Sequence, residues 1–275
     1  MIIKKSLSEL QSELPIGIKL PDGKFYRNFK FREWMFDEEE KVAELKNKNL
    51  SMGDFVTELL RIMLIEIGNV QVSQIPNDEF KMMILNSFLA DVFYMYIFLR
   101  YESLGDELPI ELQCGRCTRA YKFIGELSSL EITMHVPDEP LEEGAVWNPL
   151  EFARQTVELR RGISYKGKTF KTATLQPGTW NVMRAISEGD FNEALMKKKM
   201  LQSSIVDLPG VEMPVFSFTE EMVRSLNKRD LETLIKKSSE VNGGPELTIE
   251  TRCRHCNTFN KYPIDWRYDA FFALS

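Results

Sequence analysis

Two short cysteine motifs constrain this chain more than any other feature. Cys114 and Cys117 lie in ELQCGRCTRAYKF, and Cys253 and Cys256 in ETRCRHCNTFNKYP; these are all four cysteines of 275 residues. A CxxC turn brings two sulfurs to one side of a chain reversal, and two such turns complete the tetrahedral thiolate shell that structural zinc prefers. Four cysteines are too few for a disulfide scaffold. The opening MIIKKSLSELQSELP lacks the apolar core of an export signal, so reduced thiols and metal binding are expected in place of disulfides. The predicted site is one structural Zn2+ held by Cys114, Cys117, Cys253 and Cys256. Ordinary buried thiols and a redox pair stay as alternatives. The redox alternative is weak, because an activated CxxC opens a helix, whereas the strand-like LPIEL and ELTIE precede these pairs. A four-thiolate zinc is coordinatively closed, so it would hold a fold together and not activate water. His255 reads as an exposed turn residue, and His135 has no partner that the sequence reveals.

The separation of the pairs is itself a repeat length. Shifted by 139, Cys114 and Cys117 fall on Cys253 and Cys256, Ile110 and Glu111 on Ile249 and Glu250, and Glu107 and Leu108 on Glu246 and Leu247. Gly105 falls on Gly244, Asp91 on Asp230, Lys122 on Lys261, and Phe123 meets Tyr262. A shared ELxIExxCxxC is hard to obtain by chance. Each half also contains a predicted hairpin, 16–31 with Asp22-Gly23 at its turn and 162–175 with Gly167 at its turn. Helical patterns follow at 33–48, 53–69 and 77–104 in the first half, and at 179–187, 190–205 and 219–240 in the second. The last helix of each half opens near a capping residue, Asn77 or Thr219. The segment EFARQTVELRRG could be helix or strand. The predicted fold class is therefore α+β: a duplicated module of hairpin, helices and CxxC knuckle, the two knuckles forming one zinc-ribbon-like site. The expected boundaries are 1–135 for the first module, 136–150 for a Pro- and acid-rich linker, and 151–275 for the second.

The rest of the chain argues against several function classes. The net charge is −6, which does not suit a strongly basic nucleic-acid coat. The most apolar stretch, 81–99, carries Asn86, Ser87 and Asp91, and so reads as a buried helix, not a membrane span. No P-loop, GxGxxG, GxSxG or HExxH occurs. The run Asp37–Glu40 reads as a solvated helix start and Lys197–Lys199 as a solvated face. Arg116, Arg119, Arg252, Arg254 and Lys261 lie near the knuckles, with Tyr121, Phe123, Phe259 and Tyr262 among them. That pattern suits a nucleic-acid-binding zinc ribbon. The competing reading, favoured by the acidic net charge, has the rings packing a small ribbon core while the arginines meet acidic partners. The C-terminal WRYDAFFALS concentrates Trp266, Tyr268, Phe271 and Phe272; they either pack back on the domain or anchor a partner, and are the candidate partner-binding residues. Thirteen methionines suit adaptable assembly surfaces.

The run LADVFYMYIFLRYESLGDELPIELQCGRC, with Asp91, Arg100, Ser103, Gly105, Cys114 and Cys117 at its marked positions, resembles the T-even phage baseplate proteins of the hub-assembly family. The start, with FREWMFDEEEKVAEL, resembles that family too. The second half, through SLNKRDLETLIKK, resembles tail-assembly chaperones of contractile phages. The resemblance implies a non-enzymatic component of a contractile-tail baseplate, made in the bacterial cytoplasm, located in the virion and bound to other baseplate or tail subunits. A transient assembly chaperone is the alternative within that class.

Overall fold

The computed structural model describes residues 1–137, 148–185, 198, 201–202, 204–211, 220–265, 267 and 271–272. The architecture is mixed α+β. The first half runs β1 (Ile2–Ser6), α1 (Leu7–Leu10), β2 (Glu13–Lys19), β3 (Phe25–Phe31), α2 (Phe36–Lys46), α3 (Met52–Met63), β4 (Leu64–Ile67), β5 (Val70–Gln71), α4 (Asn77–Asn86), α5 (Leu89–Leu104), β6 (Glu107–Gln113), β7 (Ala120–Glu126) and β8 (Glu131–His135). The second runs α6 (Pro149–Ala153), β9 (Gln155–Tyr165), β10 (Lys168–Leu175), a 3-10 turn (Trp180–Ala185), β11 (Ile205–Asp207), α7 (Glu220–Ser225), α8 (Lys228–Asn242), β12 (Gly244–Pro245), β13 (Thr248–Arg252) and β14 (Phe259–Pro263).

Both predicted hairpins form. At the first turn Gly23 takes φ +83, and Asp22 accepts the Lys24 backbone N–H at 3.0 Å. At the second, Lys166 and Gly167 both have positive φ, the two-residue geometry that matches strand twist. α5 is apolar on every face, and a helix of that kind belongs in a core. Its residues from Leu89 to Arg100 are all buried. Phe29 meets Tyr94 and Phe98 edge to face, and Phe93 meets Trp180 at 5.1 Å. This main core draws mostly on the first half, but Trp180, Met183, Ile264, Phe271 and Phe272 belong to it. A smaller core of Val157, Ile163, Leu175, Met222, Leu234 and Val241 lies within the second half.

Several helical expectations need correction. The stretch 53–69 is not one helix: α3 ends at Met63, and Leu64–Ile67 becomes β4, pairing Ile67 with Phe29 and Glu66 with Lys30. Its LIEI sequence suits a strand, and β3 offers an open edge. The stretch 77–104 divides at Ser87 and Phe88, both extended. There the second half crosses: Trp180 N–H donates to Ser87 O and Leu89 N–H to Gly178 O, each at 2.8 Å. The stretch 219–240 becomes α7 and α8, with the Asn227 side chain capping α8 by accepting the Arg229 and Asp230 N–H groups. The helix expected over 33–48 shortens to Phe36–Lys46, and the described part of 179–187 holds a 3-10 turn over Trp180–Ala185. The ambiguous 151–162 contains both a helix end and the start of β9. Thr219 lies outside the described residues, as do 138–147 of the expected linker, most of 190–205, and Lys197 and Lys199.

Two short strands tie the halves together. β8 lies between β1 and β12, pairing Thr133 with both Lys4 and Gly244. Beside this sheet His135 is buried, with Nε2 2.7 Å from Val241 O. Burial lowers its pKa, so it is a neutral imidazole whose Nε2–H donates to that carbonyl.

Candidate metal centre

Each cysteine pair sits at the turn of a two-stranded ribbon, β6–β7 or β13–β14. The registers match: Ile110 lies opposite Phe123, and Ile249 opposite Tyr262. The turns match as well. Cys114 N–H donates to Arg119 O at 3.1 Å and Thr118 N–H to Cys114 O at 2.9 Å; Cys253 N–H donates to Thr258 O and Asn257 N–H to Cys253 O, both at 2.9 Å. Thr118 and Asn257 take φ of 58° and 55° to close the turn. Arg116 and His255 direct their backbone N–H groups at the sulfurs of Cys114 and Cys253, each at 3.4 Å.

The four sulfurs converge. Cys114 Sγ is 3.6 Å from Cys256 Sγ, Cys117 Sγ is 3.7 Å from Cys253 Sγ, and all four lie within 4.8 Å of one another. A disulfide needs sulfurs about 2.05 Å apart, so these are free thiols. A tetrahedral ion with sulfurs at about 2.3 Å sets them about 3.8 Å apart. The cluster can therefore hold one metal ion. His255 is exposed on its turn, edge-on to Tyr121 at 6.3 Å, and is not part of the cluster.

The electrostatics suit a cation. The Cys114 thiol is pulled down to about 6, first by the Cys117 backbone N–H and then by that of Arg116, against burial. At Cys117 the Arg119 N–H favours the thiolate, but burial and the three neighbouring sulfurs push the thiol up to about 11. Thiols this close cannot all ionise unless positive charge compensates them. Asn260, which the sequence reading passed over, sits against the cluster: Nδ2 is 3.7 Å from Cys114 Sγ and donates to Thr258 O at 2.8 Å, while Oδ1 accepts the Gly115 N–H at 3.4 Å. The 139-residue shift places it where the first ribbon has Tyr121, a polar-for-aromatic exchange that was a visible signal. Tyr121 and Tyr262 fill the ribbon core with Leu112, as the packing alternative expected, whereas Phe259 stays exposed.

The family described as T4 bacteriophage base plate protein matches residues 9–265, a span that includes both ribbons and most of the main core. The chain belongs to this family. No curated protein and no solved structure shows a significant match. Family membership supports a structural role in a phage baseplate, among the other subunits of the tail. The match runs through the half whose sequence resembled tail-assembly chaperones. Among the described residues of this base plate protein, no helix is long and apolar enough to cross a membrane.

Buried polar side chains brace the helices that lead into the ribbons. At the third residue of α5, Asp91 accepts the N–H groups of Ile16 and Gly17 at 2.8 and 2.9 Å, where β2 bulges at Gly17 (φ +129). At the third residue of α8, Asp230 accepts those of Arg160, Arg161 and Gly162 at 2.8, 2.8 and 3.0 Å, at a second glycine with φ +92. Arg100 holds the root of β6 by donating to Gly105 O and Glu107 O at 2.7 Å, and through Nε to Phe271 O at 3.0 Å. Phe271 stacks on Tyr96 at 5.4 Å, and Phe272 lies 5.5 Å from Trp34. Of the two readings of these rings, Phe271 and Phe272 fit the packing one: both are buried in the chain's own core, where apolar contact is available without a partner. Trp266 and Tyr268 lie outside the described residues.

Proposed function

We propose that this base plate protein is a non-enzymatic structural subunit of a contractile-tail baseplate, with one Zn2+ at Cys114, Cys117, Cys253 and Cys256 fixing its two ribbons against each other. It is made in the bacterial cytoplasm, enters the virion, and binds neighbouring baseplate or tail subunits and not nucleic acid. The observation that carries this reading is the sulfur cluster at tetrahedral spacing within a chain of the baseplate family. The zinc supplies closed four-thiolate coordination, so its binding free energy becomes folding free energy. The recurrence of ribbon register, turn hydrogen bonds and aspartate brace supports the further reading that the halves are two copies of one unit.

Metal analysis of the purified full chain should give one zinc per chain, lost in Cys114→Ser and Cys253→Ser. Mass spectrometry of purified tails should find the protein at fixed stoichiometry. A metal-free chain whose thermal midpoint ignores chelator overturns the zinc. A chain present in assembly intermediates but missing from finished tails replaces the virion subunit with the transient chaperone.

A further inference from the structure

The surface around the metal cluster is unlike the rest of the chain. Its two turns, QCGRCTRA (113–120) and RCRHCNTF (252–259), contain four arginines and no acid, in a chain of net charge −6. Arg116, Arg119, Arg252 and Arg254 are all exposed. Among the described residues none of them pairs with a carboxylate: Arg116 donates to Thr258 Oγ1 at 3.4 Å, and Arg252 to Asn257 O at 3.3 Å. The lysine behind the tip differs, since Lys261 meets Glu246 and Glu250 at 3.6 and 3.4 Å. Phe259 lies directly opposite Arg252 in the ribbon and is 56% exposed. Arg116 reaches across from the other ribbon to Thr258, the residue before Phe259, which brings Arg116, Arg252 and Phe259 together at one tip.

We infer that the tip of the paired ribbons is a docking face for a carboxylate-rich protein segment carrying an apolar side chain, supplied by a neighbouring subunit. Unpaired arginines attract and orient carboxylates. An exposed ring beside arginine is the combination that concentrates binding energy at protein interfaces. A nucleic-acid strand fits less well. Sequence-independent strand binding needs several rings on which bases stack, and at this tip Tyr121 is buried and Tyr262 half-buried in the ribbon core. The inference rests on the proposed metal, which holds the two arginine-bearing turns side by side.

The test measures fluorescence anisotropy of a labelled glutamate–tyrosine copolymer and of a labelled oligothymidylate of similar charge with the full metal-loaded chain. Metal content and thermal midpoint of each variant are measured in parallel. The wild type should bind the copolymer more tightly than the oligothymidylate, and more weakly as salt rises. The Arg119→Glu/Arg254→Glu double variant should keep its metal and its midpoint but weaken copolymer binding about tenfold or more. Phe259→Ala should weaken it at least about threefold. No copolymer binding by the wild type, or binding unchanged in the double variant or in Phe259→Ala, overturns the docking face. Tighter binding of oligothymidylate overturns it in favour of nucleic acid. Absence of metal from the wild type counts against the proposed zinc, a result separable from these because the variants are compared with the wild type in one metal state.

Discussion

Asp91 and Asp230 hold matching places at the starts of α5 and α8, yet their carboxyl groups shift in opposite directions. Burial raises Asp91 to about 7, only partly offset by the N–H groups of Ile16 and Gly17. Burial also acts on Asp230, but three backbone N–H groups and the Asn227 amide outweigh it and lower its pKa. The sign for stability follows from which state holds the proton. Between the ordinary value of 3.8 and about 7, folded Asp91 keeps a proton that the unfolded chain has released, so its contribution to stability declines as pH rises through that window. Asp230 does the reverse: its contribution is present above 3.8 and is lost as pH falls below it. Urea midpoints of the wild type and the non-titrating Asp91→Asn should therefore differ more in the wild type's favour at about pH 5 than at about pH 7.5. A pH-independent difference would remove Asp91 as the titrating group. Replacing Asp91 by alanine leaves two backbone N–H groups buried without an acceptor and should cost about 3 kcal/mol or more in the same measurement; Asp230→Ala, where only the Gly162 N–H is fully buried, should cost less.

At the scale of elements, the second hairpin offers a controlled comparison. Gly162 and Gly167 both have positive φ, at +92 and +74. A Cβ at Gly162 would sit 2.3 Å from Phe170 O, whereas one at Gly167 meets nothing within 4 Å. Gly167→Ala should cost only the left-handed backbone penalty of about 1 kcal/mol. Gly162→Ala must also push β9 from β10 and break the Asp230 brace, so its thermal midpoint should fall several times further. Equal losses would mean that β9 can shift freely. Trp180 is the other sensitive element. It is fully buried, its indole N–H donates to Gly53 O at 3.0 Å, and its backbone N–H meets Ser87 O where the long helix divides. Trp180→Ala should cost about 3–5 kcal/mol of unfolding free energy. The division at Ser87 was illegible in the sequence for the same reason: FKMMILNSFLADVF carries no Gly or Pro, and the break is imposed by a segment some ninety residues away. The hairpins, in contrast, were legible, because Asp22-Gly23 and Lys166-Gly167 fix their turns locally.

For the whole molecule, the proposed metal would join ribbons from opposite halves whose own core is small: Leu112, Tyr121 and two buried cysteines. The main core around α5 contains none of the four cysteines. Chelation at neutral pH should therefore lower the thermal midpoint and speed hydrogen exchange in β6, β7, β13 and β14, while α5 keeps its protection. Loss of protection throughout would mean that the ribbons and the core fold as one cooperative unit. Acid should act like chelator, because the proposed ligands would be thiolates, for which protons compete with the metal.

The sequence alone determined the four cysteines as the candidate ligands, the ribbon-and-turn form of each pair, both hairpins, the mixed α+β class and the likeness to the baseplate family. Each of these rests on residues within a few positions of one another, or on a repeat that aligns them. Only the tertiary structure decided that two pairs of sulfurs offset by 139 residues meet at metal-binding distance, that Asp91 and Asp230 brace bulged strands, that Phe271 and Phe272 close the chain's own core, and that the second half cuts a helix in two. Local pattern records which groups a residue can satisfy. Which group it meets depends on long-range packing, where burial compels every buried polar group to find a partner wherever the fold brings one near.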